Sequence, residues 1–136
     1  MVSRETILLT QEGNLRISRI EQEVHIFTKD KDNTLISKRA KVTEPKIADE
    51  YYALELTNGI VIKGNFSVMM ENGEFKDVKD VKKGDVLKSC VVNGRDDDSD
   101  LAMPKVVLKN EKVEDEITLY GLTTDEYAVD AGIIIK

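Results

Sequence analysis

Apolar and polar residues alternate with a period of two over much of this chain, and glycine-containing turns interrupt the alternation at short intervals. A period of two puts successive side chains on opposite faces of a pleated strand, so the pattern predicts half-buried sheet rather than helix. The stretch from Tyr51 to Cys90 carries the strongest signals. Tyr52, Leu54 and Leu56 share one face, Asn58-Gly59 supplies a turn, and Ile60 and Ile62 return. Asn-Gly between alternating apolar residues predicts a two-residue hairpin turn with positive φ at both positions. Asn72-Gly73 repeats the device between Ser67-Val68-Met69-Met70 and Glu74-Phe75. The run from Asp77 to Leu87 then reads as one tight helical turn, a break at Gly84 and a strand.

In chain order, Thr6-Ile7-Leu8-Leu9 is a predicted strand, Gln11-Glu12-Gly13-Asn14 a turn, and residues 15–20 a second short apolar element. Residues 24–28 read as a strand, 29–33 as a polar turn and 34–42 as a long, twisted strand, with Pro45 interrupting before Tyr51. Residues 106–108, 116–122, 127–129 and 133–136 complete the sheet, the last two joined by Asp130-Ala131-Gly132. The acidic run from Asn93 to Asp100 repels itself and solvates, so a mobile loop is expected there.

Length and composition narrow the class. A chain of 136 residues is one domain by the usual prior. With 40% hydrophobic and 34% charged residues it reads as soluble and globular rather than disordered. Abundant Val, Ile and Thr with regularly spaced turns make the expected class all-β. No apolar run approaches the roughly 20 residues of a bilayer span. The start turns acidic before any hydrophobic signal region forms, so no signal peptide is expected. A single cysteine, Cys90, excludes an internal disulfide framework and fits a reducing, cytoplasmic setting. The net charge of −6 argues against nucleic acid as the partner.

The order of these signals resembles the Hint superfamily, which includes the inteins, bacterial intein-like domains and hedgehog-type autoprocessing domains. Its pattern is strand, NG or DG turn, strand, a short T-x-x-H segment, strand, DG turn and a Gly-Asp before the next strand. Here Asn58-Gly59, Lys63-Gly64-Asn65-Phe66, Asn72-Gly73 and Gly84-Asp85 follow in that order. The opening, from Met1 to Gly13, is similar to an intein start, with Met1 in first place and Thr6 where the family places a Thr. The ending, Ile117 to Lys136, is similar to an intein terminus. Glu21-Gln22-Glu23-Val24 stands where the family usually has a further Gly-Asp. The resemblance implies a strongly twisted, horseshoe-like Hint fold of two pseudo-twofold β-hairpin halves, with the first and last strands close together. It also makes 1–136 a single minimal domain, with the loop at 93–104 where the family inserts an endonuclease or splits.

The family's chemistry depends on particular residue types. Splicing starts when a Cys or Ser at the first position attacks the preceding carbonyl, which needs a heteroatom able to add to it. A His in T-x-x-H protonates the departing nitrogen, and a second His assists cyclisation of a terminal Asn. Carried over, Met1 holds the nucleophile's place, Lys63 that of Thr and Phe66 that of the first His. Gly121 stands for a frequent acidic residue and Lys136 for the penultimate His, while the terminal Asn would be residue 137. These substitutions predict a silent site.

Other candidates divide between bland and sharper readings. His25, the sole histidine, is either a strand residue at the surface or a base. Cys90 is either a small packing residue or a relocated nucleophile. Ser3 serves as a nucleophile only if the register shifts by two. Asp96, Asp98 and Asp100 imitate a calcium loop, but Leu101 and Val107 occupy the places that need Gly and Glu. Lys76, Lys79, Lys82, Lys83 and Lys88 read as a solvated face. Lys63 and Lys136, if both line the former cleft, could hold an anion.

The sequence therefore predicts a monomeric, splicing-deficient Hint module without cofactor or metal, whose partners are flanking host segments or another protein rather than nucleic acid or membrane. One alternative is self-processing through non-standard residues. The other is an unrelated acidic β-barrel that binds a partner.

Overall fold

Strands of the computed structural model assemble into two antiparallel sheets that exchange segments, and residues 1–31, 35–57, 59–89, 104–129 and 132–136 are described. The strands are β1 (Val2–Ser3), β2 (Ile7–Thr10), β3 (Gly13–Arg16), β4 (Val24–Lys29), β5 (Leu35–Ala40), β6 (Lys46–Ala48), β7 (Tyr51–Leu56) and β8 (Val61–Gly64). They continue with β9 (Ser67–Met69), β10 (Phe75–Asp77), β11 (Val86–Leu87), β12 (Lys105–Val113), β13 (Ile117–Tyr120), β14 (Tyr127–Val129) and β15 (Ile133–Ile135). The first sheet runs β11-β12-β7-β8-β1-β13-β6, and the second β10-β9-β15-β14-β2-β4-β5 with β3 on β2. Cys90, Asn58, the acidic run and the Asp130-Ala131 part of the last turn lie outside the described residues.

Both central hairpins form where Asn-Gly predicts them, but with longer loops than expected. The Leu56 N–H donates to Ile60 at 2.9 Å and the Gly59 N–H to Leu56 at 2.9 Å, so three residues make the connection. The second hairpin repeats this with Met70, Glu74 and Gly73, both bonds at 2.8 Å. A three-residue loop needs a left-handed residue at its last position, which Gly59 (φ 84°) and Gly73 (φ 86°) supply. In the second loop Asn72 instead accepts the Glu74 N–H through its side chain at 2.9 Å.

The helical turn at Val78–Asp80 forms as read, with Asp77 capping the Lys79 N–H at 3.0 Å. Elsewhere boundaries move for identifiable reasons. The apolar element at 15–20 divides into the end of β3 and a 3-10 turn, Ile17–Arg19. The strand expected over 34–42 is Leu35–Ala40, and Val42 pairs separately with Leu122. β6 follows Pro45 at a sheet edge, where exposure erases the alternation that betrays a strand. β12 runs to Val113 although its second half is polar, because Asn110 faces inward to satisfy carbonyls rather than to fill space.

One apolar core draws on both sheets: Val2, Leu54, Leu56, Ile62 and Val107 from the first, and Leu8, Ile26, Val68, Tyr127 and Ile135 from the second. Tyr127 is so enclosed that burial drives its hydroxyl pKa well above the usual tyrosine value. A smaller cluster on the other face of the second sheet gathers Leu9, Phe27, Leu35, Met69, Ala128 and Ile134, with Phe75 at its margin.

Candidate functional site

The chain passes from the first sheet to the second between β8 and β9, and the first and last residues both dock along this crossing. The Met1 amine donates to the Asn65 carbonyl at 2.7 Å, and the Asn65 N–H returns a bond to Met1 at 3.0 Å. Two positions on, the Ser67 N–H donates to the Lys136 carbonyl at 2.9 Å, and the Lys136 N–H to Ser67 at 3.0 Å. Val2 pairs with Gly64 and Ile135 with Val68, both antiparallel. The seat thus unites the chain start, the Lys63-Gly64-Asn65-Phe66 segment and the chain end, the three pieces singled out in sequence.

Gly64 makes the close approach of β1 possible. A Cβ there would run into the Met1 carbonyl oxygen and lie 2.9 Å from the Val2 Cα. Its φ of 154° adds to the demand for glycine. Val2 continues to Tyr120 and Ser3 to Leu119, so β1 is zipped between β8 and β13. The Asn65 side chain fixes the crossing by donating to the Glu50 carbonyl at 3.0 Å. The Met1 side chain lies over Gly121, its Cγ 3.5 Å from where a Cβ would stand, and the Gly121 carbonyl accepts the Thr43 N–H at 2.9 Å. Burial lowers the pKa of the Met1 amine from its ordinary 8.0.

Phe66 points into the main core and is 5% exposed. Its carbonyl accepts the Val78 N–H at 2.9 Å, tying the crossing to the 3-10 turn. Lys136 projects to the other face of the second sheet, where its ammonium lies 4.7 Å from the centre of the Phe75 ring. Lys29 approaches the same ring at 5.9 Å and pairs with Glu126 at 3.7 Å. Lys63 lines a groove with Ser3, Arg4, Glu5, Glu116 and Tyr120. Its neighbours there include carboxylates, and Lys136 is occupied with Phe75, so the two lysines do not make an anion site of the kind their sequence positions suggested.

Ser3 is buried and hydrogen-bonds the Glu5 carboxylate. That bond, the Glu5 backbone and the charges of Lys63 and Arg4 outweigh desolvation and lower the Glu5 pKa. His25 sits on β4, its Nδ1 2.8 Å from a Glu12 oxygen. The other Glu12 oxygen accepts the His25 N–H at 3.3 Å, and the hydrogen bond to the imidazole leads the causes that lower the Glu12 pKa. No hydrogen bond or ion pair among the described residues joins His25 to the seat. Nor does any group of three His, Cys, Asp or Glu among them stand where it could hold a metal ion.

The sequence placed Gly64 and Asn65 inside the Lys63-Gly64-Asn65-Phe66 segment without a role of their own, and it did not connect Ser67 or Phe75 with the chain ends. Gly64, directly after the alternation of Ile60 and Ile62, was the one signal that could have exposed the seat, because a glycine in a strand marks a close backbone approach.

The crossing receives both chain ends between two antiparallel sheets, the closeness of first and last strands that the resemblance to the Hint superfamily implies. Many solved structures match the fold, intein-related ones over nearly the whole chain, and three serve as examples. The solution structure of a bacterial intein-like domain from Clostridium thermocellum has a TM-score of 0.73 at 18% identity, covering 98% of this chain and 96% of that one. A DnaB intein from Synechocystis sp. PCC 6803 gives 0.70 at 14%, covering 98% and 95%. The gp41-1 intein gives 0.63 at 16%, covering 98% and 94%. No protein-family model matches the sequence, and no curated protein does. The chain therefore has the Hint fold of the inteins, all-β and antiparallel, and the unrelated β-barrel is set aside. No helix among the described residues is long and apolar enough to cross a membrane.

Proposed function

We propose that this chain is a splicing-deficient Hint domain retained as a structural or interaction module, a monomer in a reducing cytoplasmic setting whose partners are flanking host segments or another protein. The observation that carries the reading is the burial of Phe66 in the core at 5% exposure. A ring packed there offers no proton and leaves no room for one to be delivered. Two further features agree. Met1 brings a thioether, which cannot form an ester by acyl shift, to the start of β1. Lys136 directs its ammonium to Phe75 rather than to the seat. A domain of this shape still gathers whatever precedes and follows it at one point.

Self-processing through non-standard residues is the second reading, favoured by the bond between Ser3 and the Glu5 carboxylate close to the chain start. A fusion between two short tagged flanks, with Asn added after Lys136, separates the two. Intact mass is followed over a day with and without thiol. The module reading expects one unchanged mass. Loss of either flank would overturn it, and loss that disappears with Ser3→Ala would establish the second reading.

A further inference from the structure

We propose that β5 is a docking edge for an extended, acidic peptide segment of another protein, which adds to the second sheet as one more strand. This goes beyond the module reading, because it names a surface and a partner chemistry away from the seat.

β5 is the last strand of its sheet, paired to β4 in an unbroken register from Lys29 with Leu35 to Val24 with Ala40. The partner strand β4 is largely enclosed, whereas β5 is buried only at its two ends and exposed over 36–39. Among the described residues no strand pairs with the outer side of β5, and its side chains at 36–39 are exposed on either face. Half the peptide groups of an edge strand point outward, a template for another strand. β5 contains no proline and its register with β4 has no bulge; what guards the edge is charge alone, Lys38 and Arg39, which repels another cationic strand but not an acidic one. Ile36 stands 43% exposed on it.

Charge selects the occupant. β5 itself holds Lys38 and Arg39 and no acidic residue, in a chain whose total charge is −6. Lys38 and Arg39 lie on opposite faces of β5, opposite Ile26 and His25 of β4. Arg39 reaches Glu23 at 3.5 Å, but both side chains are well exposed and the pair is weak. A second copy of β5 would bring Lys38 and Arg39 close to their own counterparts, which like-charge repulsion disfavours. An acidic strand meets the opposite situation, since carboxylates on both of its faces find a cation, and alternate β-branched residues can cover Ile36.

The test uses the full chain and an acetylated, amidated peptide repeating Val-Glu-Glu-Val, which carries both residue types on each face of a strand. Its controls are the same peptide N-methylated at alternate residues and a Val-Lys peptide. Amide chemical shifts are followed on titration. Strand addition expects shifts and slowed exchange confined to 36–39 and their β4 neighbours, no binding by either control, and about tenfold or greater loss of affinity in K38E/R39E. These side chains are exposed, so the double variant should keep the parent melting temperature. Absence of shifts at β5 overturns the proposal. So does equal binding by the N-methylated peptide, which would mean attraction by charge alone, or self-association of the free chain through β5.

Discussion

Met1 and Lys136 face Asn65 and Ser67, two positions apart on one run of backbone, and both are held antiparallel to it. Alternate positions on a strand are roughly 7 Å apart. Along that run the end of the chain and its beginning lie head to tail, with only Phe66 unopposed between them. A residue placed before Met1 and one placed after Lys136 would compete for that single place. Two flanks cannot both continue the ladder, so at least one must leave it.

This register predicts that one residue is enough to close the chain. A version ligated head to tail through a single glycine should keep the native amide spectrum. It should also gain about 4 kcal/mol or less of stability, from restriction of the unfolded chain. Urea denaturation of closed and open chains measures the gain. A closed chain less stable than the open one would mean that the ends are not collinear.

Gly64 is where the seat is most easily broken. Alanine there would meet the Met1 carbonyl oxygen and the Val2 Cα, which are backbone and cannot swing away. The expected result is detachment of β1, with loss of the fully buried Val2 contributing about 2 kcal/mol of destabilisation. Exchange of the Asn65 N–H should accelerate together with that of the β1 amides. Alanine at Gly13, where no atom lies within 4 Å of the added Cβ, should cost only the backbone strain of a positive φ, about 1 kcal/mol.

Restoring the family's histidine should not restore its chemistry. In Phe66→His an imidazole replaces a ring in contact with the core and lies where the surroundings offer it no water. A destabilisation of about 2–3 kcal/mol is expected, from lost apolar burial and an unpaired polar group. The flanked fusion carrying this substitution should still show one intact mass. Cleavage on that change alone would show that Phe66 was the only obstacle.

The alternation made most of the fold legible, because β2, β4, β7, β8, β9, β14 and β15 each bury one or both faces against apolar neighbours. It failed where a strand's reason to exist is not apolar burial. β1 has two residues and is held by backbone bonds, β6 is an exposed edge, and the second half of β12 turns a polar Asn110 inward. The hairpin loops were legible in place but not in length, since Gly59 and Gly73 fit either loop type. At the site, residue types revealed which chemistry is missing. They did not reveal where side chains go: the resemblance sets Lys63 and Lys136 at one cleft, but Lys63 lines a groove with Glu5 and Glu116 while Lys136 lies over Phe75.

Gly84-Asp85 illustrates a motif whose physics appears only in the fold. Gly84 takes a φ of 92°, and Asp85 then accepts the Lys82 N–H at 2.9 Å and the Lys76 ammonium at 3.1 Å. The backbone bond leads, with the Lys76 hydrogen bond next, and together they hold the Asp85 pKa below its ordinary 3.8. A carboxylate depressed in the folded state contributes stability that is fully present above 3.8 and lost as pH falls through the lower, folded value. Asp85→Asn should destabilise the chain by about 1 kcal/mol at neutral pH. The gap to the parent should shrink as pH falls below 3.8, which denaturation at a series of acid pH values reads directly.

Asn110 supplies the last test, because its amide does what no apolar residue in that position could. Its nitrogen donates to the Val78 carbonyl at 2.7 Å and to the Val81 carbonyl at 2.8 Å, bridging β12 to the 3-10 turn that also holds Phe66. Its oxygen is buried without a hydrogen-bond partner, so the pin is stabilising through its two donors alone. Asn110→Ala should strip this donor from the Val81 carbonyl and leave the Val78 carbonyl only the Val81 N–H of its own turn, at about 1–3 kcal/mol. Asn110→Asp keeps the shape but turns two donors into acceptors facing acceptors, so it should be the worse variant of the two. Denaturation midpoints of both, measured at neutral pH, decide the order. An aspartate variant as stable as the alanine one would mean that the turn has another anchor.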